Sequence, residues 1–149
     1  MLYLSPRRKL LYVTDVLRTS LRPVGDFQHL SCFLAGLFAL GAATITNLDA
    51  RHAWAAEGLA HTCWVTYAES ATGLGPESII FKPPAVGNKW VDELRFWDKQ
   101  GQPGDPPGVH DAKPVKFGED TEYEVRDRRY LLRPEVRIHP SITDLLFRY

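Results

Sequence analysis

The chain has 149 residues, of which 44% are apolar and 24% are charged, a composition typical of a globular domain with one ordinary core. Eighteen basic and eighteen acidic side chains give a formal net charge of zero. Affinity for nucleic acids and for anionic membranes depends on accumulated positive charge, so this balance argues against both as partners.

Neither the N-terminus nor the longest apolar run resembles a targeting or membrane-spanning segment. Residues 1–9 place their basic side chains after a very short apolar stretch, unlike a signal peptide. The run from Cys32 to Ile45 is apolar over about 14 residues, whereas a bilayer span needs about 20. We therefore expect no targeting segment and no membrane span in this chain.

A short strand and a long apolar helix are predicted in the first third of the chain. Residues 9–13 are apolar and partly β-branched, which favours a strand. Residues 29–43 have helical length and are apolar on nearly every side, so we expect a core helix buried on most faces. Glycine is unfavourable inside a helix, and Gly36 and Gly41 therefore indicate close approach by another helix or backbone.

A second helix is predicted over residues 50–68, with Asn47 or Asp49 as its N-terminal cap. Its apolar positions recur at helical spacing at Ala56, Ala60, Cys63 and Tyr67. Because only a short polar loop separates the two helices, we expect them to form an antiparallel hairpin.

The segment Thr72-Gly-Leu-Gly-Pro-Glu77 is predicted to end this hairpin. Gly73 and Gly75 suit a helix C-terminus followed by a turn, and Pro76 prevents the helix from continuing. Glu77 is therefore expected to project from the end of the helix pair.

An extended segment over 78–81 and a long loop to about Asp120 are predicted next. The loop contains the turn-rich residues 98–108, which lack any regular pattern. Aromatic side chains in this region could stack on sugars or anchor the loop to the core; they are Trp90, Phe96 and Trp97. Residues 130–135 are predicted to be extended, because Pro134 disfavours a helical Arg133.

The two cysteines leave three interpretations open. Cys32 and Cys63 lie on the two predicted helices, so antiparallel packing could join them in a disulfide, or they could remain buried thiols. With His29 and His61 they could also form a zinc site, since thiolate and imidazole are preferred zinc ligands.

Two glutamates are the candidate catalytic groups. Glu77 follows a Gly-Pro turn and Glu135 follows a proline, and a glycosidase needs two carboxyl groups on opposite sides of its cleft. Either side chain could equally be an exposed charge or the partner of a nearby arginine. A hydrolytic triad of Ser141, His139 and Asp144 is disfavoured, because the sequence has no Gly-x-Ser-x-Gly elbow.

Three segments together resemble the class I α-1,2-mannosidases of glycoside hydrolase family 47. In order along the chain they are His29-Leu-Ser-Cys-Phe33 with the apolar run after it, Thr72-Gly-Leu-Gly-Pro-Glu77, and Tyr130-Leu-Leu-Arg-Pro-Glu135. The resemblance covers most of residues 5–135.

This resemblance implies a mainly α fold that is part of an (α/α)7 barrel, with short β-hairpin or extended segments and a long loop. It also implies a disulfide between Cys32 and Cys63. The implied reaction is the inverting, Ca²⁺-dependent removal of α-1,2-linked mannose from the high-mannose N-glycans of glycoproteins, in the endoplasmic reticulum or Golgi or after secretion. Glu135 matches the base and Glu77 an acid or a saccharide contact, while His29 and Arg133 match residues that line the sugar pocket.

The sequence also departs from the family pattern. Residues 136–149 lack the glutamate that normally follows Glu135 by three residues, the calcium-binding threonine would lie beyond Tyr149, and further acidic residues would precede the chain. We therefore expect 1–149 to be one partial catalytic domain, incomplete at both ends, inactive alone and poorly soluble. The alternatives are a non-catalytic mannose-binding protein of glycoprotein quality control and a small zinc-binding helical domain.

Overall fold

The computed structural model describes residues 1–109, 112–116 and 119–131. Within them, the α-helices are α1 (Phe33–Thr44), α2 (Arg51–Ala68) and α3 (Trp90–Lys99). The strands are β1 (Leu2–Leu4), β2 (Leu11–Val13), β3 (Asp26–Gln28), β4 (Ser78–Ile80), β5 (Asn88–Lys89) and β6 (Glu124–Asp127). They form two antiparallel sheets, in the orders β2-β1-β5 and β3-β4-β6.

The hairpin of β1 and β2 is buried on both faces. Tyr3 lies opposite Tyr12, and Leu4 lies opposite Leu11. Because side chains alternate along a strand, the tyrosines join one apolar cluster and the leucines another. The predicted strand over 9–13 is confirmed for Leu11–Val13, whereas the sequence reading did not predict β1.

The predicted helical hairpin is confirmed, with one difference at its start. Residues His29–Cys32 form a 3₁₀ turn, and the α-helix begins at Phe33. The short connection 45–50 returns the chain, and α1 packs against α2. Asp49 accepts the backbone N–H of Arg51 at 2.9 Å. Asn47 instead occupies a left-handed turn position, with φ of 64°.

A close approach by backbone occurs at Gly58 of α2, a helix glycine for which it was not predicted. A Cβ atom added to Gly58 would lie 2.7 Å from the carbonyl oxygen of Gly108 and from Leu11 Cδ2. At Gly41 the added atom would make only an ordinary contact, 3.5 Å from Leu48. The prediction for Gly41 is therefore wrong among the described residues, because no neighbouring backbone reaches that side of α1.

The expectation that the first helix is buried on most faces is also wrong for the described part of the chain. Ala35 and Ala39 are buried against α2. The opposite side is exposed and carries an apolar strip that runs from the 3₁₀ turn along α1, which we define as Leu30, Phe33, Leu37 and Leu40. The expected poor solubility of the chain stays a prediction, and this strip supplies its physical reason.

The predicted loop between β4 and Asp120 contains a helix, α3, and this part of the prediction is wrong. The missed signal is amphipathic: Trp90 and Leu94 are buried one turn apart, and Asp92 and Glu93 occupy the first turn, where they favour a helix N-terminus. The turn-rich part is confirmed for 100–108, which contains turns and bends.

The aromatic side chains of α3 hold that turn-rich segment. The indole N–H of Trp90 donates to the carbonyl of Pro107 at 2.8 Å, and that of Trp97 to the carbonyl of Pro103 at 3.2 Å. Of the two interpretations offered for these aromatic residues, anchoring therefore applies to both tryptophans. Phe96 is exposed.

Tyr12 should make the fold sensitive to alkali. Its ring stacks on Phe81 and its hydroxyl donates to the carbonyl of Val86 at 2.8 Å. Burial raises the pKa of Tyr12 well above its ordinary value of 10.0. Only the unfolded chain then releases this proton near pH 10, so the stabilisation is complete below pH 10 and is lost as the pH rises further.

We expect urea unfolding curves to show a falling free energy of unfolding above about pH 10. Tyr12→Phe should lose about 1 kcal/mol at pH 7, through the missing hydrogen bond, and should show a smaller decline above pH 10. Arg95→Met, which changes an exposed ion pair on α3, is the control, because it retains Tyr12 and should keep the wild-type decline. Equal declines in Tyr12→Phe and wild type would contradict the prediction.

None of the helices in the described part of the chain has both the length and the apolarity needed to cross a bilayer.

Candidate active site

The candidate site lies where β3 leads into the 3₁₀ turn, beside the C-terminal end of α2. Strands β3 and β4 pair with Gln28 opposite Ser78. The next pair of residues, His29 and Glu77, is joined by a hydrogen bond from the His29 backbone N–H to the Glu77 carbonyl at 2.9 Å. Two residues from different predicted motifs thus meet at one sheet end.

The imidazole of His29 is buried and bonded to α2. A hydrogen bond of 2.5 Å joins its Nε2 to the hydroxyl of Tyr67, and His29 is 5% exposed. The Cys32–Cys63 disulfide crosses the same interface. Cys63 and Tyr67 are one helical turn apart in α2, and His29 and Cys32 are one turn apart in the 3₁₀ turn. The disulfide and the His29–Tyr67 hydrogen bond therefore join the same two elements at neighbouring positions.

The Gly-Leu-Gly-Pro-Glu segment lies directly on the ring of Tyr67. A Cβ atom added to Gly75 would lie 2.3 Å from Tyr67 Cε2, a distance that no packed side chain tolerates. Glycine at this position therefore lets the backbone that leads to Glu77 approach the ring. Glu77 itself is half-buried.

The third motif reaches the same place through Tyr130. Its ring centroid is 6.4 Å from that of His29 and 6.3 Å from that of Tyr67, and both pairs are edge-to-face. Such aromatic pairs are favourable beyond the area they bury. The three motifs identified in the sequence thus converge on one cluster of rings.

Strand β6 places a cation near Glu77. Asp127 pairs with Ser78 across the sheet, and the nearby Arg129 donates to the Asp127 carboxylate. These hydrogen bonds lower the pKa of Asp127 to about 2. They also raise the pKa of Arg129, and the negative charge of Glu77 adds to that effect. Arg129 and Asp127 thus form a local ion pair directly after β6.

The disulfide decides among the interpretations of the cysteines. Cys32 and Cys63 are bonded, and the described residues include no free cysteine. The zinc interpretation is therefore wrong, since the disulfide leaves no thiolate and His61 Nε2 is hydrogen-bonded to the carbonyl of Ala112 at 2.5 Å. Among the described residues, no group of three or more His, Cys, Asp or Glu could hold a metal.

Two predicted site residues, Arg133 and Glu135, lie outside the described residues, so their places in the site stay predictions. The same holds for Ser141, His139 and Asp144. Neither Tyr67 nor Tyr130 was predicted from the sequence to be a site residue. For Tyr67 a signal was present, because it follows Cys63 by one helical turn and shares its face of α2.

Two buried carboxylates, Glu69 and Glu122, were not predicted from the sequence. Glu69, at the C-terminal end of α2, is paired with Arg8 and accepts the hydroxyl of Tyr123 at 2.6 Å. Glu122 accepts the hydroxyl of Ser5 at 2.7 Å and the backbone N–H groups of Arg7 and Arg8. These contacts fix the turn at residues 6–8, called here the N-terminal turn, to the end of α2 and to residues 120–123.

A large cleft along the described residues lies elsewhere. It has a volume of about 760 Å³ and is bounded by the N-terminal turn, α3 and the turn-rich segment. It shares no residue with the cluster of His29, Tyr67, Glu77 and Tyr130. We place the candidate site at that cluster, because the cluster joins all three motifs and the cleft joins none of them.

Gly75→Ala should disrupt this cluster. The new methyl group must displace the ring of Tyr67, and overpacking of this kind costs about 1 to 3 kcal/mol. We expect urea unfolding to show that loss. Gly41→Ala is the matched control. Gly41 lies inside α1, and the new methyl group would meet only an ordinary contact with Leu48. Because alanine favours a helix more than glycine does, this change should stabilise the chain by up to about 1 kcal/mol. Equal stability of Gly75→Ala and wild type would contradict the packing described.

Comparison with known proteins identifies the family. The family model described as Glycosyl hydrolase family 47 matches residues 1–137. The chain belongs to this family. The match includes all three motifs and the residues of the candidate site, and the resemblance read from the sequence is confirmed.

Individual relatives of this family 47 chain are α-1,2-mannosidases. Mannosyl-oligosaccharide alpha-1,2-mannosidase IA of Spodoptera frugiperda is 45% identical over 59 residues, which are 39% of this chain and 9% of the relative. The enzyme of the same name from Drosophila melanogaster is 41% identical over 73 residues, 48% of this chain and 11% of the relative. A probable mannosyl-oligosaccharide alpha-1,2-mannosidase 1B of Aspergillus clavatus is 30% identical over 109 residues, 73% of this chain and 16% of the relative.

A solved structure shares the fold. The alpha-1,2-mannosidase from Trichoderma reesei superimposes with a TM-score of 0.59 at 22% identity, over 91% of this chain and 24% of that enzyme. The family 47 chain thus matches a minor part of the length of each relative. Its described residues form helices and strands of that fold without closing a barrel.

Proposed function

We propose that residues 1–149 form part of the catalytic domain of an inverting α-1,2-mannosidase and contribute several helices and strands to an (α/α)7 barrel. Family membership and the shared fold support this proposal. The observation that carries it is the meeting of His29 and Glu77 at the end of the β3–β4 pair, with Tyr67 and Tyr130 beside them.

Inverting hydrolysis needs one carboxylic acid to protonate the leaving oxygen and one carboxylate to activate a water molecule, with about 6.5 to 9.5 Å between them. We assign Glu135 as the base and Glu77 as the acid or as a contact to the saccharide. Glu77 suits such a role because pairing of its backbone with His29 and packing of Gly75 on Tyr67 fix the main chain from which it projects. His29 and Arg133 would line the sugar pocket.

The proposed substrate is the high-mannose oligosaccharide of glycoproteins. Calcium, which the family implies, takes six to eight oxygen ligands. The described residues offer no group of three or more His, Cys, Asp or Glu placed to hold a metal. They do not by themselves fit a calcium site, and no step proposed here runs through the ion.

The proposed place of action is the secretory pathway or the extracellular space. The disulfide between Cys32 and Cys63 supports it, because structural disulfides persist mainly in oxidising compartments. A fold that depends on this bond would be made less readily in a reducing cytosol.

Binding of α-1,2-mannobiose to the 149-residue chain, followed by amide NMR shifts, tests the proposal. We expect shifts centred on His29, Glu77 and Tyr130, and smaller ones with α-1,6-mannobiose. Glu77→Gln should weaken binding about tenfold. Glu124→Gln, a matched change in an exposed ion pair with Lys82, should leave binding unchanged. Absence of shifts in the wild-type chain would contradict a sugar site here.

A hydrolysis assay on the same samples tests turnover. We expect no free mannose from the chain alone, because the further acidic residues and the calcium-binding threonine that the family implies are not among those in this sequence. If mannose is released, the configuration of the first product decides the stereochemistry: β-mannose from the α-linkage is the result expected for inversion. First-formed α-mannose would contradict the proposed mechanism.

A further inference from the structure

We infer that Tyr67 is the positioning residue of the candidate site, holding the imidazole of His29 in one orientation and supporting the backbone that leads to Glu77. Tyr67 belongs to none of the three sequence motifs. It nevertheless contacts a residue of each one: His29 by a hydrogen bond, Gly75 by backbone packing and Tyr130 by an edge-to-face ring contact. The part of this inference that concerns sugar binding rests on the proposed function.

The hydrogen bond to His29 provides the first part of this role. A tyrosine hydroxyl can both donate and accept a hydrogen bond, so it can bond to Nε2 in either tautomer of the imidazole. Tyr67 is 2.5 Å from Nε2 on a residue that is 5% exposed, so solvent competes little for that atom. The bond therefore holds the imidazole ring in one orientation.

The position of Tyr67 on α2 provides the second part. One helical turn before it, Cys63 is bonded to Cys32, which fixes the helix against the 3₁₀ turn that begins at His29. The ring of Tyr67 is thus carried by a rigid element at a fixed distance from His29. Because Gly75 packs on the same ring, a displacement of Tyr67 would also displace the backbone before Glu77.

Tyr67→Phe tests the role, since it removes the hydroxyl and keeps the ring on which Gly75 packs. Its matched control is Tyr12→Phe, which removes another buried tyrosine hydroxyl from its hydrogen bond to Val86. Both variants should lose similar stability in urea. If Tyr67 had only a structural role, Tyr67→Phe would lose stability without any change in sugar binding.

The deciding measurement is the pair of imidazole ¹⁵N shifts of His29 in the intact chain. We expect the Nε2 shift of His29 to change in Tyr67→Phe, because that variant removes the hydrogen bond to this atom, and to keep its wild-type value in Tyr12→Phe. Affinity for α-1,2-mannobiose should fall about tenfold in Tyr67→Phe and stay unchanged in Tyr12→Phe.

Unchanged His29 shifts in Tyr67→Phe would overturn the inference, as would the absence of nuclear Overhauser contacts between the His29 and Tyr67 rings in the wild type, whose centroids lie 5.6 Å apart. The second result needs no variant, so it decides even if Tyr67→Phe does not fold. A wild-type chain that binds no mannobiose would contradict the proposed function instead, and the His29 shifts would still decide the role of Tyr67.

Discussion

Replacing Arg8 by methionine is expected to lower the free energy of unfolding by about 3 to 5 kcal/mol, because it leaves a buried carboxylate without its cation. The side chains of Arg8 and Glu69 are 11% and 2% exposed. Arg8 also donates to the carbonyls of Thr121 and Lys113, each at 2.8 Å. Urea unfolding curves at pH 7 measure the loss.

Arg51→Met is the matched control for this prediction. Arg51 is paired with Asp49, but the two side chains are 55% and 43% exposed, and exposed ion pairs contribute only about 0 to 1 kcal/mol. Removing both buried charges, as in Arg8→Met with Glu69→Met, should recover part of the stability, since no unpaired charge then remains. Equal losses in Arg8→Met and Arg51→Met would refute the buried-pair explanation.

The second large effect is expected from the disulfide. Replacing Cys32 and Cys63 together by serine removes a constraint between residues 31 positions apart, which the chain-entropy estimate values at about 3 to 4 kcal/mol. A domain is stable by about 5 to 15 kcal/mol, so the variant should be close to unfolding. Urea unfolding of the oxidised wild type and of the double variant measures the difference.

The wild type treated with a reductant is the companion experiment for the disulfide. It should behave like the double serine variant, because both lack the same cross-link. Arg95→Met, which breaks an exposed ion pair with Asp92 on α3, is the control and should change the free energy of unfolding by little. If the double variant and the oxidised wild type unfold at the same urea concentration, the bond does not stabilise this fold.

The sequence allowed prediction of those elements whose signal is local. The helix pair and the strand at 78–80 follow from apolar spacing and from glycine and proline placement. Helix α2 ends at Ala68, before the glycines that were predicted to end it. Helix α3 was locally encoded too, by the spacing of Trp90 and Leu94. It was missed because the prolines and glycines on both sides of it favoured a long loop.

The contacts that build the site could not be predicted in this way, because they depend on tertiary packing. Nothing in the spacing of Arg8 and Glu69 indicates that the two side chains meet in the interior. The convergence of His29, Tyr67 and Tyr130 depends likewise on pairing between β3, β4 and β6. Glu77 and its hydrogen-bonded neighbour His29 were predicted as site residues because each belongs to one of the three motifs. Tyr67 lies outside every motif and was therefore not predicted.

The apolar strip on α1 determines how the chain should be handled in solution. Leu30, Phe33, Leu37 and Leu40 are each more than half exposed, at 54%, 62%, 51% and 57%. Association through such a surface depends on how often two copies meet, and therefore on concentration. Dilution, more than cooling, is then the means of keeping the protein monodisperse, since apolar attraction weakens only gradually at lower temperature.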